Sequence, residues 1–426
     1  MTIVRFHGGC HQIGMSCVEI DTKKSKILVD CGMNPSDNSL PKINPNDIDA
    51  VVVSHSHLDH CGAVPYFNFK NPIYSTIPSV DLMYILWKDI SKLSKTYPEE
   101  NIQKAMNNIK AVNYGEPKKI TSDITMRLYD AGHILGSSSV YLDIGGKKLL
   151  YTGDINEIET RTLKSADTDI DEIDTLIIES TYGAPTDIKP SRKALEKQLI
   201  DEISATIEKG GKVIIPVFAV GRSQEIIAVL HNYMRSKLLK RVPIYVEGSL
   251  VHTTGIYMSH SEWLNPKIRN NLENRINPFG DVTIVNKENS SEIYNKEPCI
   301  IISTSGMVQG GPILQYLKLL KSPKNKIILT GFQAEETLGR QLEDGAEEIT
   351  PFRNKIPVRG EVVKVEFSAH SDYNSLIRYM KKIPKPKKVF VMHGERYQSL
   401  SFAMTIWKNF KIPAIAPTAG SILSLF

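Results

Sequence analysis

Apolar positions along this chain fall into short runs with two different periods. "CVEIDTKKSKILVDCG" (residues 17–32) holds two alternating or apolar runs around a Lys-rich turn, which predicts a hairpin. "IDAVVVSH" (48–55) is a short β-branched run and predicts a buried strand. "VYLDIGGKKLLYTGD" (140–154) predicts a second hairpin turning at Gly145-Gly146. "IDTLIIESTYG" (173–183) predicts another buried strand with a polar end. The first third of the chain thus reads as strands and tight turns. Near Pro190 the period changes. Ser191 stands as an N-cap, Leu195, Leu199, Ile203 and Ile207 follow at helical spacing, and Gly210-Gly211 close the helix. "KVIIPVF" then reads as a strand and "RSQEIIAVLHNYMRSK" as an amphipathic helix. "VPIYVEG", "PCIIIST" and "NKIILTGF" predict further strands. After Arg353 come "VRGEVVKVEFSAH", a helix, and "KVFVMHGE". This alternation predicts an α/β protein with a partly parallel sheet.

Length and composition narrow the picture a little. At 426 residues the chain exceeds the size of one ordinary core, so two domains are expected. No apolar run is long enough to span a bilayer, and "MTIVRFHGGC" begins as a strand without a signal-peptide pattern. Five cysteines (Cys10, Cys17, Cys31, Cys61 and Cys299) form no CxxC pair, which predicts a reducing, cytoplasmic setting and no membrane partner. Cys61 reads as a small buried residue. The net charge of +5 permits a nucleic-acid partner without arguing for one.

The chemistry concentrates at predicted strand ends. "SHSHLDHCG" (54–62) holds His55, His57, Asp59 and His60 directly after an apolar run. Asp30, His133, Asp154, Glu179, His370 and His393 also follow apolar runs or sit in Gly- or Ser-rich turns. Short loops at strand ends converge on one rim of a sheet and hold ligands rigidly. His55 and His57 lie two apart, so in extended backbone they project to one face, and neutral imidazoles suit zinc. Asp59 and His60 can turn toward a second ion, Asp154 can bridge two, and Asp30 suits a place behind a ligand histidine, fixing its tautomer.

The pattern His55-x-His57-x-Asp59-His60 resembles the hallmark of the metallo-β-lactamase superfamily. "PVFAVGRSQE", "STSGMVQGGP", "LTGFQAEETLGR", "FSAHSDY" and "MHGE" resemble its β-CASP branch, in the branch's order and over essentially the whole chain. Within that branch the chain is most similar to archaeal and bacterial homologues of the cleavage and polyadenylation nuclease, in a form without KH domains. The resemblance implies an αββα sandwich from residues 1–190 and 346–426, with an α/β β-CASP domain inserted at 191–345 and RNA in the cleft between. It implies two Zn²⁺ ions per chain, one held by His55, His57 and His133, the other by Asp59, His60 and His393, with Asp154 bridging. Asp59, Glu179 and His370 become catalytic candidates. His393 matches the motif that marks RNA-acting members.

The implied reaction is hydrolysis of phosphodiester bonds in single-stranded RNA, as an endonuclease, a 5′-to-3′ exonuclease or both, with His370 donating a proton to the leaving oxygen. Two other readings stand beside it: a non-catalytic scaffold in an RNA-processing complex, and another hydrolase of the superfamily. Weaker signals are Arg222 and the turn Ser303, Thr304, Ser305 and Gly306 as RNA contacts. His7, His11, His231, His252 and His260 read as structural or surface residues, and "KKIPKPKK" (381–388) as a solvated basic loop. "IAPTAGSILSLF" at the end reads as a last strand or as part of a homodimer contact.

Overall fold

The computed structural model describes residues 2–34, 36–94, 96–295 and 297–426. Its contacts divide the chain into two units. One comprises Met1–Glu159, Leu163–Ile188 and His370–Phe426, the other Thr160–Thr162 and Lys189–Ala369.

The first unit holds two seven-stranded sheets. In one, the strands run Ile422–Ser424, Ile3–Gly8, Cys17–Asp21, Lys26–Val29, Ala50–Val52, Ile73–Thr76, Ile109–Val112. In the other the order is Ala414–Ile415, Lys388–Met392, Thr175–Glu179, Lys147–Tyr151, Ser138–Ile144, Ile124–Asp130, Lys118–Lys119. Strand alternation explains the layering. Leu149, Tyr151, Ile177, Phe390 and Met392 point to one side and meet Val4, Phe6, Val18, Ile20, Val29 and Val52 in a core between the sheets. Leu150, Leu176, Ile178, Val389 and Val391 point to the other side, where Leu376, Tyr379, Phe402 and Ile406 of the helices Tyr373–Lys382 and Arg396–Phe410 cover them. Leu28, Val51, Val53 and Ile73 are covered by Met83 and Trp87 of the helix Ile77–Ser94 and by Ile102 of Glu99–Asn108. The result is an αββα sandwich. Both hairpins form, and the second turns at Gly145 and Gly146 with φ of +59° and +92°. The terminal segment contributes the strand Ile422–Ser424, antiparallel to Ile3–Gly8.

The helices Ile77–Ser94 and Glu99–Asn108 interrupt the all-strand reading of the first third. In "IPSVDLMYILWK" apolar residues occupy nearly every side, so no helical alternation marks it.

The second unit is a six-stranded parallel sheet in the order Val282–Ile284, Ile244–Glu247, Ile300–Ser303, Val213–Pro216, Lys326–Leu329, Glu361–Lys364. Its central strands are continuous apolar runs, as strands buried on both faces require. Ser191 caps the helix Arg192–Glu208 by accepting from Ala194 N (3.3 Å). Buried Glu225 pairs with Arg192 and accepts from the N–H of Arg161 (2.9 Å) and of Thr162 (3.2 Å), which ties Thr160–Thr162 to this unit. The expected boundary at 345/346 differs from the contact division, because Glu361–Lys364 pairs with Lys326–Leu329 and carries residues 346–369 with it. Among the described residues, no helix is long and apolar enough to cross a membrane.

Candidate metal centre

Every strand that delivers a candidate ligand within one sheet runs in the same direction. Lys26–Val29, which leads to Asp30, is parallel to Ala50–Val52, which leads to His55. Lys147–Tyr151, Thr175–Glu179 and Lys388–Met392 are mutually parallel and lead to Asp154, Glu179 and His393. Ile124–Asp130, two antiparallel steps from Lys147–Tyr151, shares that direction and leads to His133. All these side chains therefore emerge at carboxyl ends of strands. His57 stands just before the short helix Leu58–Cys61, which turns Asp59 and His60 back toward the cluster. Gly32 makes this close approach feasible: a Cβ there would lie 1.7 Å from the carbonyl oxygen of Asp59.

Three groups of ligand atoms form, each within 4.8 Å: His55, His57, His133 and Asp154; Asp59, His60, Asp154 and His393; and Asp154, Glu179 and His370. Asp154 belongs to all three. Its Oδ2 lies 3.6 Å from His55 Nε2, 3.7 Å from His133 Nε2 and 3.4 Å from His60 Nε2, while Oδ1 lies 3.2 Å from His393 Nδ1. His57 Nδ1 and His133 Nε2 are 3.1 Å apart, and His60 Nε2 and His393 Nε2 are 3.2 Å apart. The Nε2 atoms of His55 and His57 and Oδ1 of Asp154 are buried without a hydrogen-bond partner. Left so, each costs about 1–3 kcal/mol. Nitrogen and carboxylate donors packed this densely fit divalent cations, so the residues present suit the metal that the motif implies.

Behind the ligands lies a buried hydrogen-bond network. Asp30, with φ of +61°, sets Oδ2 2.7 Å from His60 Nδ1. The same oxygen accepts from Tyr151 OH (2.7 Å) and Ser54 Oγ (2.8 Å), and Oδ1 accepts from Ser54 N (2.7 Å). Ser54 Oγ also lies 3.0 Å from His55 Nδ1, so one hydroxyl touches the supports of both ligand groups. His393, with φ of +50°, donates its backbone N–H to Gly9 O (2.6 Å) in the Gly-rich opening loop.

Beside the ligands, His370 Nδ1 lies 3.2 and 3.1 Å from the two oxygens of Glu179. Glu179 also accepts from Ile155 N (2.7 Å) and Thr181 N (3.3 Å), which fixes its orientation. The turn after His370 is pinned by Ser371, whose N–H donates to Ile155 O (2.8 Å) and whose Oγ accepts from Glu157 N (2.9 Å). Thr181 Oγ1 sits 3.3 Å from His370 Nδ1 and 3.1 Å from His393 Nδ1. The His370 side chain is 19% exposed and that of Asp59 17%, whereas His55, His60, Asp154 and Glu179 are sealed, so solvent reaches the centre beside His370 and Asp59.

Electrostatics divides the ligands. Burial pushes His57 down to about 4 and holds His55 well below the ordinary imidazole range. Burial also opposes charge on His60, but Asp154, Asp59 and Asp30 outweigh it and raise His60 well above that range. His393 is raised by the same contest, chiefly through Asp154. Burial opposes charge on Asp154 too, yet His393 and His60 keep its carboxyl well below the usual carboxylate range.

The other candidates lie elsewhere. Arg222 starts the helix Arg222–Arg235, and its Nη1 donates to Thr330 O (2.8 Å). Ser303 ends the strand Ile300–Ser303 with a buried hydroxyl. In the following turn Ser305 N donates to Gly310 O (3.2 Å), and Ser305 Oγ accepts from Gln309 N (3.2 Å), so this turn commits part of its polar surface to itself. Thr304 is partly exposed, and Gly306 O accepts from Gln333 Nε2 (3.2 Å). His7 Nε2 lies 3.0 Å from Glu19. Within "KKIPKPKK", Lys382 pairs with Glu157 and Lys387 with Asp174. Sequence reasoning passed over Ser54, Tyr151 and Thr181. Their only signal was position: each is close in sequence to a named ligand or catalytic candidate.

The sandwich and its paired ligand groups define a metallo-hydrolase of the metallo-β-lactamase type. The family model for the metallo-beta-lactamase superfamily matches residues 14–205, that for the Beta-Casp domain residues 223–342, and that for the Zn-dependent metallo-hydrolase RNA specificity domain residues 355–417. An RNase J-like protein of Methanocaldococcus jannaschii is 65% identical over the full length of both chains. A transcription termination factor FttA of Methanothermobacter thermautotrophicus is 37% identical across 96% of this chain and 70% of its own. A solved structure of a protein of unknown function from Enterococcus faecalis V583 covers 99% of each chain with a TM-score of 0.59 at 14% identity, a likeness of fold alone. The chain belongs to the β-CASP family of the metallo-β-lactamase superfamily.

Proposed function

We propose that this β-CASP ribonuclease works with two zinc ions and hydrolyses phosphodiester bonds in single-stranded RNA. One observation carries the reading: two ligand groups share Asp154, with the His370–Glu179 pair beside them. The match to an RNA specificity domain and the RNase J-like relative support RNA as the substrate. His55, His57 and His133 would hold one ion and Asp59, His60 and His393 the other, with Asp154 shared between them. Two ions bound there would supply an acidified water and positive charge for the phosphoryl oxygens.

The chain's own residues do the rest. Glu179 accepts the Nδ1 proton of His370 and so orients the ring. That leaves Nε2 as the nitrogen that passes a proton to the departing 3′-oxygen, giving a 3′-hydroxyl and a 5′-phosphate. Asp30, through His60, sets which nitrogen of that ring faces the metal. Arg222 and the turn Ser303–Gly306 are the proposed RNA contacts, and further subunits of an RNA-processing complex are proposed partners. Five buried free cysteines support a cytoplasmic setting.

The test uses single-stranded RNA labelled at the 5′ end in one tube and at the 3′ end in another, with a His57→Ala control. Zinc-loaded protein is expected to cut both, and the control neither. Mononucleotides from the 5′ label mean 5′-to-3′ exonuclease action, whereas discrete internal fragments mean endonuclease action. Intact RNA in every tube would overturn the assignment.

A further inference from the structure

Where the strand Thr175–Glu179 ends, Glu179, Ser180 and Thr181 run alongside Met392, His393 and Gly394 at the end of the parallel strand Lys388–Met392. Glycine at 394 permits the close approach, since a Cβ there would lie 2.3 Å from the carbonyl oxygen of Ser180. Ser180 N donates to His393 O (3.2 Å), and Ser180 Oγ donates to Met392 O (2.9 Å). This pairing sets the buried side chain of Thr181 against two imidazoles at once. The rings of His370 and His393 lie 21° from parallel with centroids 6.1 Å apart. Thr181 Oγ1 is 3.3 Å from Nδ1 of the first and 3.1 Å from Nδ1 of the second.

A hydroxyl has one proton to give and two lone pairs with which to accept. Thr181 gives its proton to His393 O (3.2 Å), which fills the carbonyl's second lone pair beside the bond from Ser180 N. Its own two lone pairs then meet the two Nδ1 atoms, and both contacts are hydrogen bonds only if both Nδ1 atoms carry hydrogen. Neighbouring carboxylates favour the same state. Glu179 lies 3.1 and 3.2 Å from Nδ1 of His370, and Asp154 Oδ1 lies 3.2 Å from Nδ1 of His393. Each ring is thereby left to turn Nε2 to the centre. Thr181 also donates its backbone N–H to Glu179 Oε2 (3.3 Å), so it steadies the group that orients His370. Branching at Cβ holds the hydroxyl in place, because a threonine side chain is stiff at χ1.

We infer that Thr181 is a positioning residue whose single hydroxyl sets the tautomer and orientation of both His370 and His393. It thus couples the proton donor to the second ligand group. The inference rests on the roles proposed for those two histidines. A threonine that served packing alone would need only its methyl group and its bond to His393 O, and its loss would not distinguish one ligand group from the other.

The test compares Thr181→Val, which keeps the shape and removes the hydroxyl, with Thr181→Ser, which keeps the hydroxyl. Thr181→Ala removes the same hydroxyl without crowding, should the valine variant fail to fold. Stepwise zinc titration against a chelator is read beside steady-state cleavage of labelled single-stranded RNA. The valine variant is expected to weaken by about tenfold the zinc-binding step that His393→Ala abolishes, and to spare the other. Its kcat should fall about 10–100-fold with KM nearly unchanged, while the serine variant returns both readings to within about threefold of wild type. A valine variant that matches wild type, a serine variant as impaired as valine, or equal weakening of both zinc-binding steps would overturn the inference. RNA left intact by the wild type would overturn the ribonuclease reading instead, and the zinc titration would still decide the role of Thr181.

Discussion

His55, His57 and His133 bring imidazoles alone to Asp154, whereas Asp59, His60 and His393 gather around it with a second carboxylate of their own and a third, Asp30, directly behind. The consequences differ in sign. Burial keeps His55 and His57 neutral, with their Nε2 atoms lacking hydrogen-bond partners. Nearby carboxylates hold His60 and His393 toward the protonated form and satisfy them with ion pairs. In the first group, His55 and His57 are held toward the neutral form that a cation needs. The second is held toward the protonated form at His60 and His393, so a cation competes there with protons. Two ligand sets on one carboxylate therefore differ in what they exchange for a metal.

The largest expected effect comes from the residue the two groups share. Asp154→Asn should lower affinity for both ions and reduce RNA cleavage by about 10³-fold or more. Elemental analysis after dialysis, paired with the labelled-RNA assay, checks it. A variant that releases only one ion would break the picture of a common bridge. Next, His370→Gln should leave metal content at the wild-type level and cut kcat by roughly 10²–10⁴-fold with little change in KM. Equal loss of metal and turnover would move His370 from proton transfer to metal binding. Asp30→Asn should weaken the second group's metal by about 10–100-fold and spare the first. Stepwise zinc titration against a competing chelator separates the two events, and uniform weakening would mean that Ser54 couples them.

The smallest effect concerns the segment that carries His133. Asp130 accepts from Gly132 N (2.8 Å), and burial pushes its carboxyl up to about 7, with the Asp167 carboxylate adding to the rise. An unfolded Asp titrates near 3.9. Between these values the folded chain binds more protons than the unfolded one, so Asp130 contributes stability that is fully present below about 4 and lost as pH rises through about 7. Asp130→Asn removes that loss. Its melting temperature should exceed the wild type's by more at pH 8 than at pH 4, under matched metal conditions. The same difference at both pH values would contradict the raised carboxyl.

How much of this was legible in the sequence follows from distance along the chain. The candidate ligands were visible because they follow apolar runs or sit in the Gly- or Ser-rich turns just beyond strands, which puts them on a rim. Tyr151 and Thr181 were not, because their roles depend on Asp30 and on His370 and His393, far away in the chain and joined only by sheet register. The helix Ile77–Ser94 was hidden by being apolar on most sides. The strand Glu361–Lys364 was foreseen as a strand but not its sheet, since "EVVK" carries no mark of which edge it will join.

The first unit is sewn from three separated stretches, and the last of them begins only at His370. On the ribosome this sets an order of assembly. His55, His57, His60, His133 and Asp154 are all made before the second unit's long excursion, while His370, His393 and the strand Lys388–Met392 that pairs with Thr175–Glu179 come after it. A nascent chain therefore lacks His370 and His393 until the whole second unit has been made. A nuclease born on a message thus has its early and late candidate residues joined only after Lys189–Ala369 has been threaded out between them.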